Sequence, residues 1–391
     1  MCGTARAGDA GAINAIDRLE KEETRYSAIL DDSFTTWLEP VNVDPYLQFK
    51  ENLNDATGFE YITFYTLMNH YGSHVPSESQ NLNGQIHTIN SWTPHHGYKD
   101  AGSLVFYYMN VSQYTDASAG QLTNDLGLTT GINDSAVRLD FFRFVAWYQP
   151  LMDGDIELYA GQFLLRDLFD FGNYASDDTR NFISEIMSSN PAATLPLPGL
   201  GFAATARLTD RWSIGGGFTD GNAKMGDLWN FNTFGKGDYA YMGYLKYSGC
   251  VAGIGEANYQ LNLYSVDATQ QAAYSRGLSL IMEQDIGQKH VLFYKYNRAD
   301  KRRSSTKQSM AAAIMRKGFY IWEDDVLGFG GGWGDPTDPS RRSEYILEAF
   351  WRVQLTPGIQ FTPDVQLWLD PSQRPGHDTQ GVFSMRATFD F

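Results

Sequence analysis

Across 391 residues the chain carries two cysteines, Cys2 and Cys250. That is too few for a disulfide framework at this length. It contains no run of 18 apolar residues, and its mean hydropathy is −0.37, which excludes a membrane protein built on helices. Basic residues are scarce, with Lys+Arg 30 against Asp+Glu 46 and a net charge of −16. Nucleic acid is held by clustered Lys and Arg, so it is excluded as a partner. The one basic run, Lys301-Arg302-Arg303, lies in a polar stretch between two strand-like segments and reads as a solvated loop. No low-complexity tract or solenoid period interrupts the chain.

Aromatic side chains, by contrast, are abundant: 24 Phe, 23 Tyr and 9 Trp. Many fall near the ends of strand-like segments, where a β-barrel places its interfacial girdles. Successive strand side chains point to opposite faces, and the last ten residues follow that rule closely. Phe383, Met385, Ala387, Phe389 and Phe391 take one parity, while Ser384, Arg386, Thr388 and Asp390 take the other. The same alternation sets Tyr345, Leu347, Ala349, Trp351, Val353 and Leu355 against Glu344, Glu348, Arg352 and Gln354. Ile359, Phe361, Val365 and Leu367 likewise oppose Gln360, Thr362, Asp364 and Gln366, with a tight turn at Thr356-Pro357-Gly358. Val137 to Phe141 alternates cleanly and then slips phase at Phe142-Arg143, which predicts a bulge. Short turns (208–212, 285–289) trade places with long loops (115–134, 166–199, 219–238). That asymmetry is the one expected between the periplasmic and extracellular ends of an outer-membrane barrel. The fold class that follows is all-β: a transmembrane antiparallel β-barrel of about sixteen strands.

Organisation before the barrel is simpler. Ala5-Arg6-Ala7 ahead of Gly8-Asp9 fits a small-x-small cleavage site, so residues 1–7 read as the remnant of a signal peptide. A short amphipathic helix is expected over Asp9–Asp31, within an N-terminal periplasmic segment spanning 8–40, at the barrel mouth or inside it as a plug. Residues 41–391 are expected to form the barrel. Cys250, in Ser248-Gly249-Cys250, is expected to be a small buried or turn residue rather than a reactive one.

Several stretches resemble the carbohydrate-selective porins of the OprB type. They are Leu355-Thr356-Pro357-Gly358-Ile359-Gln360-Phe361-Thr362-Pro363-Asp364 with the closing strand to Phe391, Ala160-Gly161-Gln162-Phe163 with Leu165-Arg166-Asp167-Leu168-Phe169, and Asn173 to Asp177 running on through Asn181-Phe182 and Asn190-Pro191. The resemblance covers most of the chain from about residue 40. It implies a bacterial outer-membrane porin of sixteen strands that passes small sugars or other small polar solutes, its lumen narrowed by in-folded loops. It also implies contact with outer-membrane lipid and recognition by the barrel-assembly machinery through Phe391. The oligomeric state is left open between monomer and homotrimer. A rival reading is a plugged barrel of the same fold with a structural or adhesion role.

Porin selectivity arises from width, lining hydrogen-bond groups and local charge. Strand parity nominates Arg138, Asp140, Glu348, Arg352, Asp364 and Arg386 as inward, although any one of them could be ordinary polarity bracing the barrel. The segment after Phe163 supplies Arg166, Asp167, Phe169, Asp170 and Tyr174, a mixture of charge and aromatic surface suited to a constriction. The net charge of −16 favours cations at the mouths. No enzyme chemistry is indicated. Gly215-Gly216-Gly217 and Gly330-Gly331-Gly332 lack the context of a phosphate loop, and no nucleophile elbow occurs. His70 with His74, and His95-His96, lack metal-ligand spacing on a common face. The acidic pairs Asp324-Asp325 and Asp335 with Asp338 lack a calcium-loop pattern, and no cofactor is expected.

Overall fold

The computed structural model describes residues 44–75, 79–133, 137–170, 172–176, 178–270, 272–300, 303–320, 325–356 and 358–391. The helix expected over 9–31 and the cleavage site lie outside these residues. A helix does precede the barrel, α1 (Asp44–Thr57), in a stretch expected to belong to the barrel itself. It stops at Gly58, whose φ of +68° suits glycine and whose missing Cβ leaves room for the Thr93 carbonyl; a Cβ there would sit 2.1 Å from that oxygen. The Lys50 ammonium lies 5.3 Å from the Tyr61 ring, and Asn54 donates to Glu60 at 2.5 Å. Both contacts tie α1 to the first strand.

Sixteen strands follow. They begin with β1 (Phe59–Gly72), β2 (Gln80–Trp92), β3 (Ser103–Gln113) and β4 (Leu139–Leu151). Next come β5 (Ile156–Phe163), β6 (Gly199–Arg207), β7 (Trp212–Asp220) and β8 (Tyr239–Val251). The chain continues through β9 (Gly255–Val266), β10 (Ser275–Ile286), β11 (His290–Ala299) and β12 (Thr306–Lys317). It closes with β13 (Val326–Pro336), β14 (Glu344–Thr356), β15 (Ile359–Leu369) and β16 (Thr379–Asp390). Each strand pairs antiparallel with its sequence neighbours, and β16 pairs back onto β1 from Phe64↔Asp390 to Gly72↔Val382. Closure leaves no unpaired sheet edge, the condition for crossing hydrocarbon.

Parity falls as the alternation predicts. Along β14 to β16, Tyr345, Leu347, Phe361, Val365, Phe383 and Met385 are exposed on the outer wall, while Glu344, Glu348, Asp364 and Arg386 are buried inside. The expected bulge is present as well: Tyr107 pairs with Phe144 and Tyr108 with Phe142, so Arg143 is the extra residue. It brings Arg143 and the neighbouring Phe144 onto the inner wall together. Cys250, near the short-turn end of β8, is disulfide-bonded, which corrects its reading as a small buried or turn residue.

The apolar core lies inside the barrel. The described residues of two long loops, within 114–138 and 164–198, fold in and carry α2 (Ala119–Leu126), α3 (Leu165–Phe169) and α4 (Glu185–Ser188). A further short helix, α5 (Phe231–Phe234), sits in the loop between β7 and β8. Ser118 caps α2 reciprocally with Gln121. The buried face of α2 joins Phe182, Ile186 and Met187 against inward residues such as Ile281, Phe293, Ile346 and Phe350. A second cluster packs Phe163, Leu165, Leu168 and Phe169 against Phe144, Tyr159 and Tyr244.

Candidate functional site

A folded-in loop must find partners for its backbone N–H and C=O groups, because the barrel interior beneath it is no longer water. Inward side chains of β9 to β16 supply them by charge. Glu283 accepts from the N–H groups of Asn173, Tyr174 and Ala175 at 2.9, 2.7 and 3.0 Å. Glu348 accepts from the Ile183 N–H at 2.6 Å and from the Ser184 hydroxyl. Glu344 does the same for Thr129 and Thr130 of the other loop. The cations take the carbonyls. Lys295 donates to Ala175 and Ser189 at 2.6 and 2.7 Å, and Arg386 to Asp178 and Asn181 at 2.7 and 2.5 Å.

Apolar packing holds the same loop. Phe182 lies edge-on to both Phe293 and Phe350, with ring centroids 5.6 and 4.8 Å away. Replacing it, Phe182→Ala, is expected to cost the loop about 3–5 kcal/mol of local stability. Limited proteolysis of the reconstituted barrel should then cut within 170–190 while the strands stay protected.

The loop leaves a cavity of about 250 Å³ against the inner wall of β2 to β4. Its charged lining is Arg143, Arg166 and Lys295 against Asp167, Asp170 and Asp178, with Tyr107 and Phe141 as aromatic surface. Arg143 grips Asp167 through two bonds, Nε to Oδ2 and Nη2 to Oδ1, each 2.6 Å, the strong bidentate geometry. Asp167 also sits in the first turn of α3. Arg143 is steadied from behind: its guanidinium lies 5.5 Å from the Tyr107 ring centroid, Tyr107 bonds His87 at 2.7 Å, and His87 stacks on Phe64 at 4.6 Å. Asp170 is held by Asn262, Ser279 and Asn190 at 2.9, 2.8 and 3.0 Å.

The sequence-nominated residues separate into three places. Arg166 and Asp167 line the cavity. Phe169 is fully buried 5.4 Å from the Tyr244 ring and supports the loop from beneath. Tyr174 is also packed away, with burial pushing its phenol pKa upward. Glu348, Asp364 and Arg386 point inward as expected, but each is 1% exposed. They lie under the loop rather than on the cavity, and Arg352 reaches Asn181 of the same loop at 3.4 Å. Arg138 and Asp140 are a correction. Both are exposed, and Asp140 faces outward, bonded to Tyr108 at 2.7 Å. The Arg143 bulge inverts the strand's phase, so above it Leu139 and Phe141 turn inward. Arg143, Glu283 and Lys295 were not singled out from the sequence. The phase slip at Phe142-Arg143 was the signal for the first. For the others it was the shared parity of Glu283 with Ser279 and Ile281, and of Lys295 with Phe293 and Asn297.

The model of the carbohydrate-selective porins, OprB family, matches residues 48–391. The chain belongs to the OprB family. Among solved structures this OprB-family barrel is similar to the high-pH structure of Pseudomonas putida OprB, at TM-score 0.74 and 14% identity, covering 92% of this chain and 100% of that one. A mutant of Rh. blastica porin shares the fold more loosely, at TM-score 0.53 and 8% identity over 85% of this chain and 100% of that one. The porin AaxA of Chlamydia felis is 26% identical over 298 residues, 74% of this chain and 66% of that protein. Its Chlamydia muridarum counterpart is 27% identical over 281 residues, 70% of this chain and 60% of that protein. The chain thus spans about two thirds or less of the length of these relatives. Family and fold together place the protein in the bacterial outer membrane as a porin.

Proposed function

We propose that this barrel passes small, uncharged polyhydroxyl solutes, sugars foremost, by diffusion, and that Arg143, Arg166 and Asp167 contact the solute in transit. The observation that carries the reading is the cavity wall itself. Two guanidinium groups and an ammonium share it with three carboxylates beside Tyr107 and Phe141, so the two signs balance at three each. A sugar offers hydroxyls that both donate and accept, plus apolar C–H faces. Such a wall can bind it weakly at either sign, whereas an ion meets attraction and repulsion together. The family's description as carbohydrate-selective supports the same solute class. Assembly would proceed through the closing strand that ends at Phe391, as a monomer or homotrimer.

The full-length protein in planar bilayers should give single-channel steps that glucose and its oligomers reduce in a concentration-dependent way. Half-reduction is expected at roughly millimolar sugar, an affinity of about −4 kcal/mol. Steps that ignore sugars but respond to charged solutes of the same size would overturn the choice of solute. A second reading, a barrel plugged for a structural role, is favoured by the amount of loop packed inside the strands. Folded protein without conductance would decide for it.

A further inference from the structure

The outer wall carries a feature that solute passage does not use. At the long-loop ends of β10 and β11, Arg276 and Arg298 are exposed and point away from the lumen. Register makes them diagonal neighbours: Arg298 lies opposite Leu278, two residues along from Arg276. Cα atoms in such a relation are about 7–8 Å apart, close enough for two guanidinium groups to share one anion. Neither guanidinium forms an ion pair or hydrogen bond with a described residue. The nearby Lys307 is already paired with Asp335 at 2.8 Å, and Asp300 accepts from Ser275. In a chain of net charge −16 this is a local reversal of sign. Corresponding outward positions elsewhere on that rim are Ser112, Asp140, Tyr239 and Tyr345.

Directly below the arginines the wall is apolar and concave. Leu263, 58% exposed, pairs with Leu278, and the row beneath holds Leu261 opposite Leu280. Leu263 and Leu278, with Tyr274, border a groove of about 760 Å³ that the two arginines top, and Leu261 and Leu280 continue the apolar wall beneath it. An arginine on the lipid-facing wall costs about 2–4 kcal/mol at the bilayer midplane and close to nothing at the interface. Two unpaired ones at the rim therefore sit at headgroup depth, where an anion would offset their mutual repulsion.

We propose that this groove binds a phosphorylated lipid of the outer leaflet, a phosphoglycolipid of the lipid A class. Its phosphate bridges Arg276 and Arg298, and an acyl chain lies along Leu263, Leu278 and Leu280. Bidentate arginine–phosphate geometry accounts for the upper half of the groove. The membrane depth of the leucines accounts for the lower half. The site lies on the opposite face of the wall from the cavity, so occupancy need not alter conductance.

Native mass spectrometry of the full-length barrel, released from detergent with bis-phosphorylated lipid A, tests this directly. A retained lipid adduct is expected, weakened roughly 10- to 30-fold in Arg276→Gln/Arg298→Gln, the scale of two lost headgroup contacts. The dephosphorylated lipid should bind no better than the double variant binds the intact one. A Leu263→Ser/Leu278→Ser variant should weaken the intact lipid while leaving both arginines in place. Unchanged heat-modifiable mobility and unchanged conductance will certify folding of each variant. Equal retention by wild type and the arginine variant would overturn the proposal. So would displacement of the lipid by equimolar inorganic phosphate, which would mark the site as one for free anions.

Discussion

Replacing Glu283 by Ala together with Lys295 by Met is expected to raise single-channel conductance several-fold and to make the current flicker. Both side chains act on one stretch of the in-folded loop. Glu283 holds three consecutive N–H groups at 173–175, and Lys295 holds the carbonyls of Ala175 and Ser189. A buried backbone group stripped of its partner costs about 1–3 kcal/mol. Water entering from the cavity would recover part of that, leaving a loss of about 3–5 kcal/mol across the segment. The local opening equilibrium then shifts by about two to nearly four orders of magnitude at RT of about 0.59 kcal/mol. Loop excursions brief in the wild type become visible in the recording, and sugar-dependent reduction of current fades as the cavity wall comes apart. Glu283→Gln alone should do much less, because its amide oxygen can still accept from the loop.

The competing outcome is informative. The same loop is also fixed by Phe182, Ile186 and Met187. If the double variant leaves conductance and protease resistance unchanged, apolar packing alone holds the loop. The polar clamps would then serve only to satisfy backbone groups that folding has already buried. Lys295→Met adds apolar surface in place of a buried cation, so the variant is not weakened by an orphaned charge.

The barrel was legible because its rule is local. Alternation with period two, repeated strand after strand, is dictated by the pleat and by the two solvents on either side of the wall. The parity read for 344–355, 359–367 and 383–391 holds in the structure for Leu347, Val365, Phe383, Glu348 and Arg386. The site was less legible because inward-facing and solute-facing are different properties. Parity says that Glu348 and Arg386 point in; it carries no information about which stretch of wall a loop 160 or more residues away will cover. Arg138 and Asp140 show the second limit. A single bulge flips every side chain beyond it, and the rule that apolar residues face lipid fails once the inner wall has an apolar loop to pack against. Leu139 and Phe141 turn inward for that reason, beside Leu195.

The bulge also sets up the most direct electrical test. Asp167→Asn is expected to move the cation-to-anion permeability ratio toward anions about fivefold. In the wild type the Arg143 guanidinium is neutralised through two bonds to Asp167, while its approach to the Tyr107 ring keeps it in place independently of that carboxylate. The amide can accept one of those bonds but carries no charge. The positive charge therefore stays at the cavity wall with its counter-charge removed. An uncompensated unit charge about 8 Å from a passing ion is worth about 0.5 kcal/mol in a water-like medium, with opposite signs for cation and anion, and the difference of about 1 kcal/mol is the fivefold. Reversal potentials in a salt gradient read it, and the shift should shrink as ionic strength rises, since screening at 0.1 M acts over about 10 Å. Arg143→Gln should move the ratio the other way by a similar factor. If both variants leave selectivity unchanged and cation-preferring, the −16 distributed over the whole chain governs ion passage, and the Arg143–Asp167 pair is a brace. If they move it in opposite directions, the bulged residue on β4 and the first turn of α3 together set which solutes the charged cavity wall admits.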